Sequence, residues 1–276
     1  MQSHKLIIPY SSNNDEYRAF LTSDLHTEDA AFDREFFIRE FEGDADIFIN
    51  GDVFSLILPS DRKRYRRGQD PFVQRDDFIN EIVERTYELL RPYAARIRMI
   101  GVGNHEAEYI KRTGYDPVSG LITLLQKEGG KPILHGGYEG FIVFNLVRED
   151  GNDVKKYTVF YNHGQGGSSE VTQGVISLMR RSYIRADLVW LGHEHRRNAV
   201  MLPTEIGVDR EGNIYERVRK GVMTGTYLKT FAQNDVGKDG YRGSYGAEKL
   251  RVPQMRGGVM LMIRPLKEGA EGKLLI

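Results

Sequence analysis

The chain of 276 residues contains no cysteine. Disulfides and thiolate metal sites are therefore excluded, and any metal must sit on nitrogen and oxygen donors. No apolar run approaches the ~18 residues of a membrane span. Net charge is absent too: 39 basic residues balance 39 acidic ones, so overall charge does not mark a nucleic-acid binder. The opening "MQSHKLIIPYSSNNDE" has a short apolar patch but no long hydrophobic segment and no small-residue cleavage site. No secretory signal is read there; a cytoplasmic location without a membrane partner is the expectation. No repeat and no convincing linker splits the chain. One domain over residues 1–276 is expected, with a motif core at 18–200 and the strands and loops of 201–276 belonging to it.

What is present is ordinary for a globular protein, with 40% apolar and 28% charged residues. Short apolar runs bounded by polar loops predict strands near Arg18–Thr22, Ala45–Asn50, Ile97–Val102, Gly140–Val147, Tyr157–Tyr161, Leu188–Leu191, Gly221–Thr226 and Gly258–Ile263. Several are continuously apolar, as sheets covered on both faces require. Helical spacing predicts helices at Asp76–Ala95, Ala30–Phe41, Pro117–Lys127 and Val171–Ile184. Strand–helix alternation over the first 190 residues implies an α/β fold. The last third reads mainly as strands and loops.

The strands end in a particular way. "TSDLHTED" places Asp24 and His26 after one strand, and "INGDVF" places Asp52 after the next. "GVGNHEAE" ends a third with Asn104, His105 and Glu106; "YNHGQGG" ends another with His163; "GHEH" ends another with His193 and His195. Ligands of α/β sheets bind at the carboxyl ends of strands. Five of the seven histidines fall in these endings. A single histidine after a strand is usually a surface or hydrogen-bonded residue; the joint pattern is not accidental. Gly51, Gly103 and Gly192 precede these polar groups, where the chain must turn and leave room for a bulky ion.

Two Asp, one Asn and three His make six donors, and His26 makes seven. That is too many for one tetrahedral ion and suits two ions about 3.5–4 Å apart sharing a carboxylate. Donors without sulfur but rich in imidazole favour manganese, iron, zinc or a similar divalent metal over calcium or magnesium. Manganese is the expected metal, with iron, zinc or nickel as alternatives. Such a pair stabilises the attacking and departing oxygens of an in-line displacement and makes hydroxide available near neutral pH. Phosphate ester hydrolysis is the natural reaction class.

The series D-x-H, GD, GNHE, an isolated H and GHEH resembles the calcineurin-like metallophosphoesterases. It spans Asp24 to His195, about two-thirds of the chain. The resemblance implies a four-layer α-β-β-α sandwich of two mixed sheets flanked by helices. It implies that Asp24, His26, Asp52 and His195 hold one metal, and that Asp52 bridges to a second held by Asn104, His163 and His193. His105 would be no ligand; beside the phosphate, it would stabilise or protonate the leaving oxygen. From "MTGTYLKTF" to "RGGVMLMI" the chain is similar to bacterial and phage-encoded members.

There are departures. Many members carry a second acid three residues after GD, where this chain has Ser55. A lost or shifted supporting hydrogen bond is expected there, not a lost metal. Glu106 stands where many phosphodiesterases have Asp. "SDLHTE" and "GDVFSL" differ from the GD-H-G and GD-x-VDRG of the protein Ser/Thr phosphatases, which weakens that reading.

For substrate, Arg196 and Arg197 beside the last histidines are candidate phosphate-binding residues. So are Arg64 and Arg66 in the basic, aromatic-bearing loop "PSDRKRYRRGQDP", a pattern suited to single-stranded nucleic acid or nucleotides. "RRSYIR" (Arg180–Arg185) is a further basic cluster, and Tyr241, Arg242 and Tyr245 of "QNDVGKDGYRGSYGAEK" are candidates for another wall. Charge runs are otherwise usually solvated faces. The expected function is a metal-dependent phosphodiesterase acting on nucleic acid or a nucleotide. The alternatives are a phosphomonoesterase or protein Ser/Thr phosphatase on the same centre, and a catalytically inactive binding scaffold.

Overall fold

The computed structural model describes residues 1–57, 78–166, 170–209, 211–230 and 252–276. In chain order these form β1 (Gln2–Tyr10), β2 (Tyr17–Thr22), α1 (Arg34–Phe41), β3 (Asp46–Ile49), α2 (Phe78–Leu90), β4 (Ile97–Gly101), α3 (Asn104–Thr113) and α4 (Pro117–Gly129). Then follow β5 (Leu134–Gly137), β6 (Glu139–Arg148), β7 (Val154–Asn162), α5 (Val175–Met179), β8 (Leu188–Leu191), β9 (Asn198–Val208), β10 (Ile214–Met223), β11 (Val259–Pro265) and β12 (Ala270–Leu275). The strands make two six-stranded mixed sheets, ordered β1-β6-β7-β8-β10-β9 and β12-β11-β2-β3-β4-β5. No described helix is long and apolar enough to cross a membrane.

The strand period of two sorts side chains into layers. In β8, Leu188 and Trp190 enter the core between the sheets, while Val189 and Leu191 face outward beneath α5. In β2 and β3, Leu21 and Phe48 meet that same inter-sheet core, while Phe20, Ile47 and Ile49 face α1, α2 and α4. The result is the four-layer sandwich, helices outside both sheets. β10 pairs with β8 and β11 with β2, so chain beyond residue 200 completes both sheets.

β2, β3 and β4 run parallel as neighbours in one sheet, as do β7, β8 and β10 in the other. Their carboxyl ends carry the polar motifs and meet at one edge of the sandwich. Asn50 Nδ2 donates to the Asn162 carbonyl at 3.0 Å, bridging the two sheets at that edge.

The expected helix over Val171–Ile184 is shorter, Val175–Met179, because Gly174 enters at φ 80° and starts it anew. The Asp76–Ala95 helix is described from Phe78 and closes in a single 3-10 turn, Arg91–Tyr93. Three elements near the site, α3, β5 and β9, had no counterpart in the sequence pattern.

One fold contact lends itself to measurement. Asp116 caps α4, accepting from Val118 N at 3.0 Å and Ser119 N at 3.3 Å. It also accepts from His135 Nε2 at 2.8 Å. Burial pushes the carboxyl up, but the His135 and Ser119 bonds win and hold it at about 2; the same bond raises His135. The Asp116 contribution is lost as pH falls through about 2. The His135 contribution is complete below the ordinary histidine value of ~6.5 and fades as pH rises through the raised one. Asp116→Ala should cost ~1 kcal/mol from the cap alone, with a further loss that is larger at pH 5.5 than at pH 9. Urea unfolding at both pH values checks this; an equal cost at both would deny the pair any pH-linked role.

Candidate metal centre

The ligand loops leave their strands with unusual backbone. Asp24, His26, Asp52, His193 and His195 have φ of 54°, 50°, 48°, 69° and 56°. Non-glycine residues enter this left-handed region rarely and at a cost, and such outliers cluster at functional sites. Parallel hydrogen bonds hold the strained loops: Asp24 N donates to Gly51 O, His26 N to Asp52 O and Thr27 N to Val53 O, at 3.1, 3.1 and 3.0 Å. Gly103 serves close approach instead of a turn. A Cβ there would lie 2.1 Å from Asp52 Oδ1.

All seven expected ligands converge. Asp24, His26 and His195 offer donor atoms within 4.8 Å of one another, as do Asp52, His163 and His193. In the first group His195 Nε2 lies 3.2 Å from His26 Nε2 and 3.4 Å from Asp24 Oδ1. In the second, His163 Nε2 lies 3.1 Å from Asp52 Oδ2. Asp52 Oδ2 also lies 3.9 Å from His26 Nε2, so this carboxylate stands between the groups. Asp24, His26, Asp52 and His163 are buried, while Asn104, His105, His193 and His195 are half-buried and form an open side.

Asn104 tests whether these donors fit cations. Its amide oxygen faces His193 Nδ1 at 2.5 Å. The same corner of the amide faces Asp52 Oδ2 at 3.2 Å and His163 Nε2 at 3.3 Å. With oxygen at that corner, Asn104, His193 and Asp52 turn lone pairs toward one another, and His163 adds a fourth once its proton is released. Hydrogen bonding would require the amide turned over; a divalent cation satisfies the groups in place, with the nitrogen–oxygen donor chemistry such ions take.

The far sides of the imidazoles fix which nitrogen faces the centre. His163 Nδ1 faces the Asn50 carbonyl at 2.6 Å, His193 Nε2 the Gly166 carbonyl at 2.6 Å, and His26 Nδ1 the Ser55 hydroxyl at 3.0 Å. With Nε2 turned to the centre, His26 Nδ1 donates to the Ser55 hydroxyl, at the position where a second acid is absent. Burial drives His26 down to about 3, so its Nε2 is a free lone pair. For His163 burial acts downward, but Asp52 beside it prevails and pushes it up to about 10. Cation binding at His163 therefore requires release of a proton. Burial would raise Asp52, yet His163, His105 and His26 hold it well below the carboxylate range.

His105 lies beside His26 and Asp52, close enough to offer a donor atom to the same group. Its backbone N donates to Asp52 Oδ1 at 3.0 Å, and its Nδ1 contacts the Ser55 carbonyl. Its ring meets His26 edge-on at 5.0 Å. Nε2 is thereby the nitrogen left for a substrate.

Two residues have supporting roles that the sequence did not assign. Glu106 is buried and accepts from Gly103 N, Asp52 N and Phe54 N at 2.8, 3.0 and 2.9 Å, pinning the Asp52 loop to α3. Its position three residues after Gly103, as in a capping box, was the available signal. Glu28 accepts from Ser55 N and Leu56 N, both at 2.7 Å, and so fixes the residue that serves His26 and His105. Nothing in the sequence marked it.

The two arginines beside His195 are engaged within the fold. Arg196 is 1% exposed and pairs with Glu170 at 2.7 Å. A guanidinium so sealed does not present paired donors to an external phosphate. Arg197 donates to the Gly258 carbonyl at 3.1 Å, and its backbone N donates to Met255 O at 3.0 Å, tying the β8 exit to the approach of β11. In the Arg180–Arg185 cluster, Arg185 pairs with Glu205 at 3.1 Å. Arg64, Arg66, Tyr241, Arg242 and Tyr245 lie outside the described residues.

Among solved structures, a metallophosphoesterase from Sphaerobacter thermophilus is similar at 14% identity and TM-score 0.35, over 94% of this chain and 88% of that one. Zinc-complexed Vps29 from Entamoeba histolytica is similar at 10% identity and TM-score 0.33, over 94% and 98%. A predicted phosphoesterase from Streptococcus pneumoniae is similar at 10% identity and TM-score 0.31, over 95% and 99%. No curated protein matches the chain in sequence. The family profile described as calcineurin-like phosphoesterase matches residues 17–197, the segment that supplies every ligand above. The chain belongs to the calcineurin-like phosphoesterases.

Proposed function

We propose that this protein is a metal-dependent phosphodiesterase. The observation that carries the reading is the convergence of nitrogen and oxygen donors in overlapping groups, Asp24, His26 and His195 on one side and Asp52, His163 and His193 on the other, with His105 beside His26 and Asp52. Asp24, His26, Asp52 and His195 would hold one cation; Asp52, Asn104, His163 and His193 would hold the other. Bound there, two divalent cations supply charge neutralisation for the phosphate and an activated water. The chain's own part is to fix the donors through strained, hydrogen-bonded loops and to place His105 Nε2 where a leaving oxygen takes a proton.

The diester is favoured over the monoester by charge. A phosphodiester carries one negative charge and a monoester up to two. Arg196 and Arg197, the guanidinium groups nearest the ligands in sequence, are engaged by protein partners, which suits the less charged substrate. Nucleic acid or a nucleotide is the class we propose, on the basic, aromatic-bearing loop after Asp52. Manganese is the proposed metal. Hydrolysis of bis-nitrophenyl phosphate and nitrophenyl phosphate, each with added Mn²⁺, tests the reading. The diester should turn over faster. Monoester preference would reverse the substrate class, and turnover of neither with metal bound would favour a binding scaffold.

A further inference from the structure

Asp24 sits at the end of a buried hydrogen-bond chain that starts at the chain's single tryptophan. Trp190 Nε1 donates to Thr224 Oγ1 at 3.1 Å. Thr224 Oγ1 lies 2.6 Å from Ser23 Oγ, and Ser23 Oγ donates to Asp24 Oδ2. All four residues have zero exposure. An indole N–H only donates and a carboxylate only accepts, so the hydroxyl protons between them point one way. Thr224 has a second acceptor, the Leu191 carbonyl at 3.3 Å, but the shorter Ser23 contact completes the chain. Asp24 Oδ2 further accepts from His193 N at 2.9 Å. Oδ1 shares the His193 N–H at a longer 3.2 Å and has no hydroxyl donor; lying 3.4 Å from His195 Nε2, it is the less engaged oxygen and the one turned to a cation.

The backbone of Asp24 is held from the same direction. Thr226 Oγ1 and Tyr227 N both donate to the Asp24 carbonyl, at 3.0 and 3.2 Å. The passage between β8 and β2 is tight: a Cβ at Gly192 would lie 2.7 Å from Ser23 Oγ and 3.1 Å from Asp24 Oδ2. Thr224, Thr226 and Tyr227 all lie beyond the family-matched segment, which ends at residue 197.

We propose that Trp190, Thr224 and Ser23 form a relay that selects Asp24 Oδ1 for cation binding, making the loop after β10 part of the metal centre. The three are positioning residues acting through Asp24. The proposal rests on Asp24 being a ligand, as the proposed function holds. Polarised hydrogen-bond chains strengthen along their length, and supporting partners of metal ligands typically govern affinity by ~10–100-fold.

The test is calorimetric titration of Mn²⁺ into metal-free wild type, Thr224→Val and Thr224→Ser, with the Trp190 indole N–H resonance recorded for each metal-free protein. Wild type should bind two ions. Thr224→Val should bind one of them ~10–100-fold more weakly and the other unchanged, with the indole resonance shifted upfield. Thr224→Ser should restore both readouts. A purely structural role would move unfolding temperature without separating the two ions. Equal affinities in Thr224→Val and wild type, or equal weakening of both ions, would overturn the relay and leave the metal centre standing. Wild type binding no Mn²⁺ would overturn the metal centre and the relay with it. Thr224→Val strands a buried indole N–H. If it does not fold, Ser23→Ala breaks the chain next to Asp24 and must show the same single-ion weakening; unchanged affinity there overturns the relay.

Discussion

Replacing His105 with alanine should leave both metal sites intact and lower turnover by ~10²–10⁴-fold. The side chain is expendable to the ligands for a structural reason. Asp52 Oδ1 is held by the backbone N of residue 105, not by its ring, and alanine keeps that donor. Position 105 also lies in the first turn of α3, which alanine favours. What disappears is an imidazole whose Nδ1 is committed to Ser55 O and whose Nε2 is not. The loss should depend on the leaving group. Nitrophenolate departs with little need of a proton, so its esters should lose least; an alkyl or nucleoside diester should lose most. Steady-state rates on both kinds, with metal content measured on the same samples, check this. Equal losses would assign His105 to charge stabilisation instead of proton transfer. Full activity would remove it from the mechanism.

Replacing Asp52 with asparagine should weaken binding of both ions at once. Asp52 Oδ2 is 3.1 Å from His163 Nε2 and 3.9 Å from His26 Nε2, facing both donor groups; Asp24 Oδ1 lies against His195 Nε2 at 3.4 Å and reaches His163 Nε2 only at 3.9 Å. Asparagine keeps the shape and removes the charge. Losing a supporting partner costs ~10–100-fold in affinity, so losing the shared ligand should exceed ~100-fold for each ion. A second readout needs no substrate. Ions that bind only the folded protein raise its unfolding temperature, so Mn²⁺ should stabilise wild type and leave Asp52→Asn almost unchanged. Loss of one ion with the other retained would deny that the carboxylate is shared.

Much of this site was legible in the sequence because its ligands follow strands that are buried on both faces. Leu188–Leu191 is wholly buried and ends at a glycine, and its predicted limits match the structure. The strands without a counterpart have the opposite character. β9 and β12 are largely exposed along their length, with polar residues that hide the period of two. β1 alternates, but only Leu6 and Tyr10 of its nine residues are buried. α3 was hidden because it begins on the ligand Asn104 and buries only Glu106 and Tyr109. The arginines beside His195 were less legible for a related reason. Arg196 and Arg197 adjoin His195 in sequence, yet their side chains reach Glu170 and Gly258, so adjacency along the chain said nothing about the open side of the centre. Thr224 and Glu28 were beyond reach for another reason. Each acts through a hydrogen bond to a residue distant in the chain, and neither carries a motif.

The central claim is that two cations share Asp52, and anomalous scattering from crystals grown with Mn²⁺ tests it most directly. Two peaks about 3.5–4 Å apart are expected. Asp52 should lie within bonding distance of both, Asp24, His26 and His195 around one, and Asn104, His163 and His193 around the other. A single peak, or two peaks without Asp52 between them, would contradict the account.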